Sequence, residues 1–414
     1  MPDTTYLIAT PLASGRYSRW GSLVGASASL AFAELARQVD APLLVLADDP
    51  RHADQLDAEL RFFSGGEFAV LHFVEWETLP WDNFSPHQDI ISQRLSVLAQ
   101  LPSVRRGIVI ASAPALLQRL PPLDYVAARS LSLRTGQQLP HDEFTASLAA
   151  AGYLRVPQVS EHGEFAVRGS LIDVFPMGSD VPVRIDFFDD EIESLRYFSA
   201  ESQLSGDTVD AVELLPAREV PLDDAAIRAF RSRYRERFEG QPSRSRVYRD
   251  VSEGIAHGGI EYYLPLFFEH TSGLADYLPD DCIVIRPDGL QGLLERTWAE
   301  IEERHELCSL DPERPVLDPS ETFAPIDTVT ARLDRHRCVH YSAQSLADAA
   351  DVRNLPTRMP PALKIEARYE DPAGALVQFL ESFDGRVLFT TDSAGRLDHY
   401  LKLNRVRRFL RFSF

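Results

Sequence analysis

The sequence predicts an α/β protein with a strand-rich α+β segment set into it. Two patterns carry the reading: short apolar runs alternating with helix-period segments over about residues 20–120, and paired alternating strands over 126–208. A third feature poses the functional question. The stretch "WGSLVGASASLAFAELARQV", residues 20–39, has the outline of a phosphate loop entering a helix, but a working loop reads G-x-x-x-x-G-K-[ST]. Here Ser22 and Ser27 stand at the glycine positions and Ala28 at the lysine position, and only Ser29 fits. The charge that would hold phosphate is missing.

In chain order, "PLLVLADD" reads as a strand, "PRHADQLDAELRFF" as a helix, "FAVLHF" as a strand, "SPHQDIISQRLSVLAQL" as a helix and "RRGIVIAS" as a strand. Short apolar runs separated by crossover helices make a parallel sheet. The pattern then turns to hairpins: "SLSLRTGQQL", the helix "HDEFTASLAAAG", "GEFAVRGSLIDVFP", a turn at "MGSD", and "VPVRIDFFDDEIESLRYFS". A mixed region follows, with the arginine-rich helix "AAIRAFRSRYRERF" and the apolar block "GGIEYYLPLFFEH". The proline-rich "NLPTRMPPALK" reads as a linker. After it, "PAGALVQFLESFDG" and "RVLFTT" read as a helix and a strand opening a small α/β domain. The resulting division is 1–125, 126–208, 209–345, a linker 346–362 and 363–414.

Composition narrows the function. A net charge of -20 over 414 residues opposes polyanion binding as the main activity and favours a protein partner. Cys282, Cys308 and Cys338 lie far apart, which suits a reducing cytoplasm and gives neither a disulfide framework nor a zinc knuckle. No stretch is apolar enough to span a bilayer, and the start lacks a signal pattern, so no membrane association is expected.

Several candidate sites reduce to ordinary structure. Asp48 and Asp49 end an apolar run as magnesium-binding acids would, but without a phosphate-loop lysine they read as loop residues. Asp189, Asp190 and Glu191 sit between two strands and read as a hairpin turn. His336, Cys338 and His340 share one parity and could face a soft metal, but no fourth ligand follows at fixed spacing, so a polar strand face is expected. The arginines of "RAFRSRYRERFEGQPSRSRVYR" read as a solvated helix face with intrahelical Glu–Arg pairs. The basic, apolar "KLNRVRRFLRFSF" reads as a frayed end. No nucleophile sits in an activating context, and neither a metal nor a cofactor is expected.

One stretch reads as built for recognition. In "VPVRIDFFD" the strand period places Val183, Ile185 and Phe187 on a core face and Arg184, Asp186 and Phe188 on the other. In "EFAVRG", Phe165 and Val167 take the buried parity, while Arg168 points away with Ala166. Arg168, Arg184 and Phe188 would then form one cationic and aromatic patch, a pairing enriched at binding hot spots.

The strings "WETLPWDNFSPHQDIISQRL", "EHGEFAVRGSLIDVFPMGSDVPVRIDFFDDEIESLRYF", "LLPAREVP" and "GGIEYYLPLFF" together resemble the amino-terminal part of the bacterial transcription-repair coupling factor family, Mfd. The resemblance covers all but about the last dozen residues. It implies a module similar to the repair protein UvrB: a degenerate helicase-like α/β domain of P-loop NTPase type in two sequence pieces, an inserted domain that binds UvrA, and a partial small α/β domain. It carries the family's UvrA-contacting positions onto Arg168, Arg184 and Phe188. In the family, RNA polymerase binding, ATP and magnesium use, and DNA translocation belong to later domains. No GKT or GKS tripeptide and no DEEH-like box occurs in these residues, and UvrB's DNA-clamping hairpin is not evident. The expected function is therefore non-enzymatic UvrA recruitment in nucleotide excision repair. The alternatives are a nucleotide-dependent enzyme using a non-standard loop at Gly25 with Asp48 or Asp49, and DNA binding through the arginine-rich helix.

Overall fold

A computed structural model describes residues 17–311, 313–359, 361–363, 373–385 and 387. It divides into two units, residues 1–357 and 358–414. The first unit begins β1 (Tyr17–Gly21), α1 (Ser27–Gln38), β2 (Pro42–Ala47), α2 (Pro50–Ser64), β3 (Ala69–Phe73), α3 (Gln88–Gln100), β4 (Gly107–Ser112) and α4 (Leu123–Arg129). Next come β5 (Leu131–Arg134), α5 (His141–Ala150), β6 (Leu154–Arg155), β7 (Glu164–Arg168), β8 (Leu171–Val174), β9 (Val183–Phe188), β10 (Glu191–Phe198), β11 (Ser205–Val209) and β12 (Ala211–Leu214). The remainder is α6 (Asp224–Arg237), α7 (Arg246–Ser252), β13 (Ile283–Pro287), α8 (Leu290–Cys308), α9 (Pro319–Thr322), α10 (Ile326–Leu333), β14 (Arg337–Tyr341) and β15 (Val352–Asn354).

A seven-stranded parallel sheet runs β15-β1-β14-β13-β2-β4-β3. Its central strands β2, β4 and β13 are buried throughout, which is why they read as unbroken apolar runs. Two of the sequence readings shift here. β13 and α8 come from the stretch read only as mixed, and β15, inside the segment read as linker, pairs with β1. The strand β14 is interior, so Cys338 is buried in the core and not part of an open polar face. Among the described residues no cluster of three or more His, Cys, Asp or Glu could hold a metal.

Between α4 and α6 the chain forms a second sheet, β11-β10-β9-β8-β7-β6, antiparallel except for the β6–β7 pair. The chain enters and leaves it through an antiparallel ribbon of β5 and β12, with Val212 opposite Leu133. Phe165, Ile172, Val183, Ile185 and Phe187 on its inner face join the core that also covers one face of the parallel sheet.

A buried junction fastens α3 to the segment that follows the β5–β12 ribbon. The Arg94 guanidinium of α3 donates to Glu219 at 2.6 Å, both side chains being fully buried. It also donates to the Val74 carbonyl and Gln118, and lies over the Phe73 and Trp76 rings. Trp76 Nε1 donates to Glu219, and the Trp76 ring meets Tyr262 edge-on. A buried charge pair is tolerated only when its remaining donors and acceptors are also filled, as they are here.

In the second unit α11 (Gly374–Ser382) buries Leu376 and Val377 with Ala373. The strand read at "RVLFTT" and the basic "KLNRVRRFLRFSF" lie outside the described residues.

Candidate docking face

The loop with the phosphate-loop outline follows β1 and is closed by the chain itself. Ser22 N donates to the Gln344 carbonyl and Leu23 N to the Ser342 carbonyl. The Thr357 hydroxyl donates to the Ser22 carbonyl, and Ser29 Oγ donates to Glu59 at 2.6 Å. The backbone donors that would cradle an anion are thus used internally at these positions. Asp49 is spent as the N-cap of α2, accepting from His52 N at 2.8 Å. Asp189 and Asp190 form the two-residue β9–β10 turn, with Asp189 left-handed at φ 53°.

The outward face of the second sheet is different. The β7–β8 turn pairs Arg168 with Leu171, Leu171 faces Asp186 on β9, and Asp173 faces Arg184. Cross-strand partners share a face, so Arg168, Asp186, Arg184 and Phe188 all lie on the side away from the main core. Phe188 is 70% exposed at the end of β9. Arg168 is exposed too, one amine donating to the Pro157 carbonyl at 3.2 Å.

Arg184 is placed on the same face but is largely engaged. Its Nε and one terminal amine grip Asp173 at 2.7 and 2.9 Å, the other amine reaches Ser205, and the guanidinium covers the Phe198 ring at 4.8 Å. Its side chain is only 18% exposed, and the hydrogen bond to Asp173 raises its pKa above the ordinary arginine value. Sequence parity could not see this, because Asp173 lies on a neighbouring strand. Parity assigned Ala166 and Val167 to their faces but did not anticipate the burial of Ala166: Val167 packs half-buried against the main core, while Ala166, on the outer face, is buried with Val159, Phe175 and Phe198 in a small outer cluster. The outer face is therefore part core and part open, with Phe188 and Arg168 in the open part.

The arginine-rich helix α6 finds its partners off the helix. Arg237 pairs with Glu321 and Asp318, while Arg231 and Arg235 both donate to the Tyr248 hydroxyl. The expected Glu–Arg pairs within α6 do not form, because Glu236 accepts from Ser232.

Among the described residues no helix is long and apolar enough to cross a membrane. Residues 131–220, from β5 through β12, match the UvrB interaction domain. The chain is 40% identical over 397 residues to the transcription-repair-coupling factor of Escherichia coli (strain K12), covering 96% of this chain and 34% of that protein. It is 39% identical over 384 residues to that of Haemophilus influenzae, covering 92% and 33%, and 32% identical over 357 residues to that of Myxococcus xanthus, covering 82% and 30%. The chain thus spans about a third of the length of these curated relatives. With the likeness running through nearly all of its residues and a UvrB interaction domain at its centre, the chain belongs to the transcription-repair-coupling factor family.

Proposed function

We propose that this chain is the UvrA-recruiting, non-catalytic module of a transcription-repair coupling factor, with the parallel sheet, a degenerate helicase-like P-loop fold, as its frame. Arg168, Arg184 and Phe188 form the docking patch. The observation that carries the reading is Phe188, a large ring left 70% exposed on a rigid strand end beside arginines, inside the matched UvrB interaction domain. An aromatic ring held in this way fills a partner pocket at little entropic cost. Arg168 supplies an open guanidinium for an acidic group, and Arg184, fixed by Asp173, offers the rigid edge beside it.

The closed loop at Ser22–Ser29 supports a framing role for the parallel sheet, and no nucleotide is needed for docking. RNA polymerase and DNA enter through the remainder of a full-length factor. Titration of UvrA with the chain in the absence of ATP tests the reading. Phe188→Ala should weaken binding by about 2 kcal/mol while leaving the melting temperature unchanged. Equal affinity for the variant would remove the assignment.

A further inference from the structure

The first unit holds a second candidate site, on the flank of α6 opposite Tyr248. A cleft of about 590 Å³ opens between the carboxy-terminal half of α6, the loop 265–271 and the segment around Arg119. Arg119 and Arg233 line it, and neither has a carboxylate within ion-pair distance among the described residues. Arg119 spends one amine on the Thr271 hydroxyl at 3.1 Å and the other on the Ser320 carbonyl at 2.7 Å, while its Nε–H has no acceptor. Arg233 donates to the Leu266 carbonyl.

Three acids share the cleft without a direct ion pair to either, although Glu321 acts on Arg119 at longer range. Glu321 is held by Arg237 through both oxygens, Glu236 accepts from Ser232, and Glu269 is exposed at the rim. Burial, with the neighbouring Arg332, lowers the Arg119 pKa, and the charge of Glu321 opposes this only in part. Two part-buried guanidinia without a direct ion pair leave N–H donors whose desolvation a bound anion would offset.

We propose that this cleft binds a phosphate-bearing small molecule, with Arg119 and Arg233 gripping one dianionic group and the Thr271 hydroxyl donating to it. A dianion matches two guanidinia, whereas a carboxylate would leave one charge open. Thr271 accepts from Arg119, so its own proton is available. The volume accommodates more than a bare phosphate, so the group is carried on a larger molecule.

Calorimetric titration with inorganic phosphate and pyrophosphate at low salt tests this, with acetate as comparator. The expected result is saturable binding of a phosphate probe, at least about tenfold tighter than acetate and weakened about tenfold by Arg119→Gln or Arg233→Gln. Arg231→Gln, on the Tyr248 flank of the same helix, should leave it unchanged. If Arg119→Gln fails to fold, the half-exposed Arg233→Gln carries the test. No saturable heat, acetate binding as tightly, or an equal loss with Arg231→Gln would overturn the proposal. These outcomes are independent of UvrA binding, which neither cleft variant should alter.

Discussion

The two sheets of the first unit treat their outward-facing groups in opposite ways. At the end of β1 in the parallel sheet, the backbone of Ser22 and Leu23 and the Ser29 hydroxyl are satisfied by residues 342–357 and Glu59. At the end of β9 in the antiparallel sheet, Phe188 stands in solvent and Arg168 keeps most of its donors open. The loop after β1 is closed by its own chain, which spares the cost of orphaned backbone donors. The end of β9 instead keeps apolar area exposed, as a surface reserved for a partner would.

The largest expected effect lies at the buried junction between α3 and the segment that follows the β5–β12 ribbon. Arg94→Ala leaves Glu219 fully buried without its cation, and should cost about 3–5 kcal/mol in urea denaturation. A loss within the surface range would show that the buried pair contributes little to holding the fold together. Next is Arg184→Ala, which strands the buried Asp173 and should cost about 2 kcal/mol of stability as well as affinity for UvrA. Phe188→Ala should cost only affinity. If the two variants behave alike in melting experiments, the division between engaged and open members of the patch is wrong.

A smaller, pH-dependent effect is expected at Glu261, whose carboxyl is pushed up to about 7 by burial, with the nearby Glu219 adding to it, against a backbone hydrogen bond, the Ser85 hydroxyl and Arg218. Its folded pKa lies above its unfolded value, so the folded state is favoured with the proton on. That contribution is full below the ordinary carboxylate range near 4.5 and is lost as pH rises towards and through 7. Glu261→Gln should therefore raise the melting temperature at about pH 8 and change it little at about pH 4. A pH-independent change would assign the effect to packing. The smallest expected effect comes from rebuilding the glycine and lysine positions of the loop: Ser22→Gly, Ser27→Gly and Ala28→Lys together should yield no saturable ATP binding, because the carbonyls of Ser342 and Gln344 occupy the Leu23 and Ser22 backbone donors. Measurable binding would show the closure to be readily displaced.

Local period made most of this molecule legible. The apolar runs of β2, β3 and β4, the helices between them, the β9–β10 turn and the outward parity of Arg184 and Phe188 all follow from spacing within a few residues. What spacing could not supply was pairing at long range. Arg94 and Glu219 are 125 positions apart, and an arginine in "SQRL" looks like any helix-surface cation until the partner is known. The signal was available in hindsight as the only ionisable residue of α3 after its first turn, set among Ile91, Leu95 and Leu98. β15 was obscured by the prolines that follow it, and Ala166 by a neighbouring cluster of Val159, Phe175 and Phe198 that parity alone does not anticipate.

Hydrogen–deuterium exchange of the chain with and without UvrA tests the central claim most directly. Docking through the antiparallel sheet predicts slowed exchange at the turns Gly169–Ser170 and Asp189–Asp190, which flank Arg168 and Phe188, with the loop 22–27 unchanged. Protection of the loop 22–27 with no change at those two turns would contradict it.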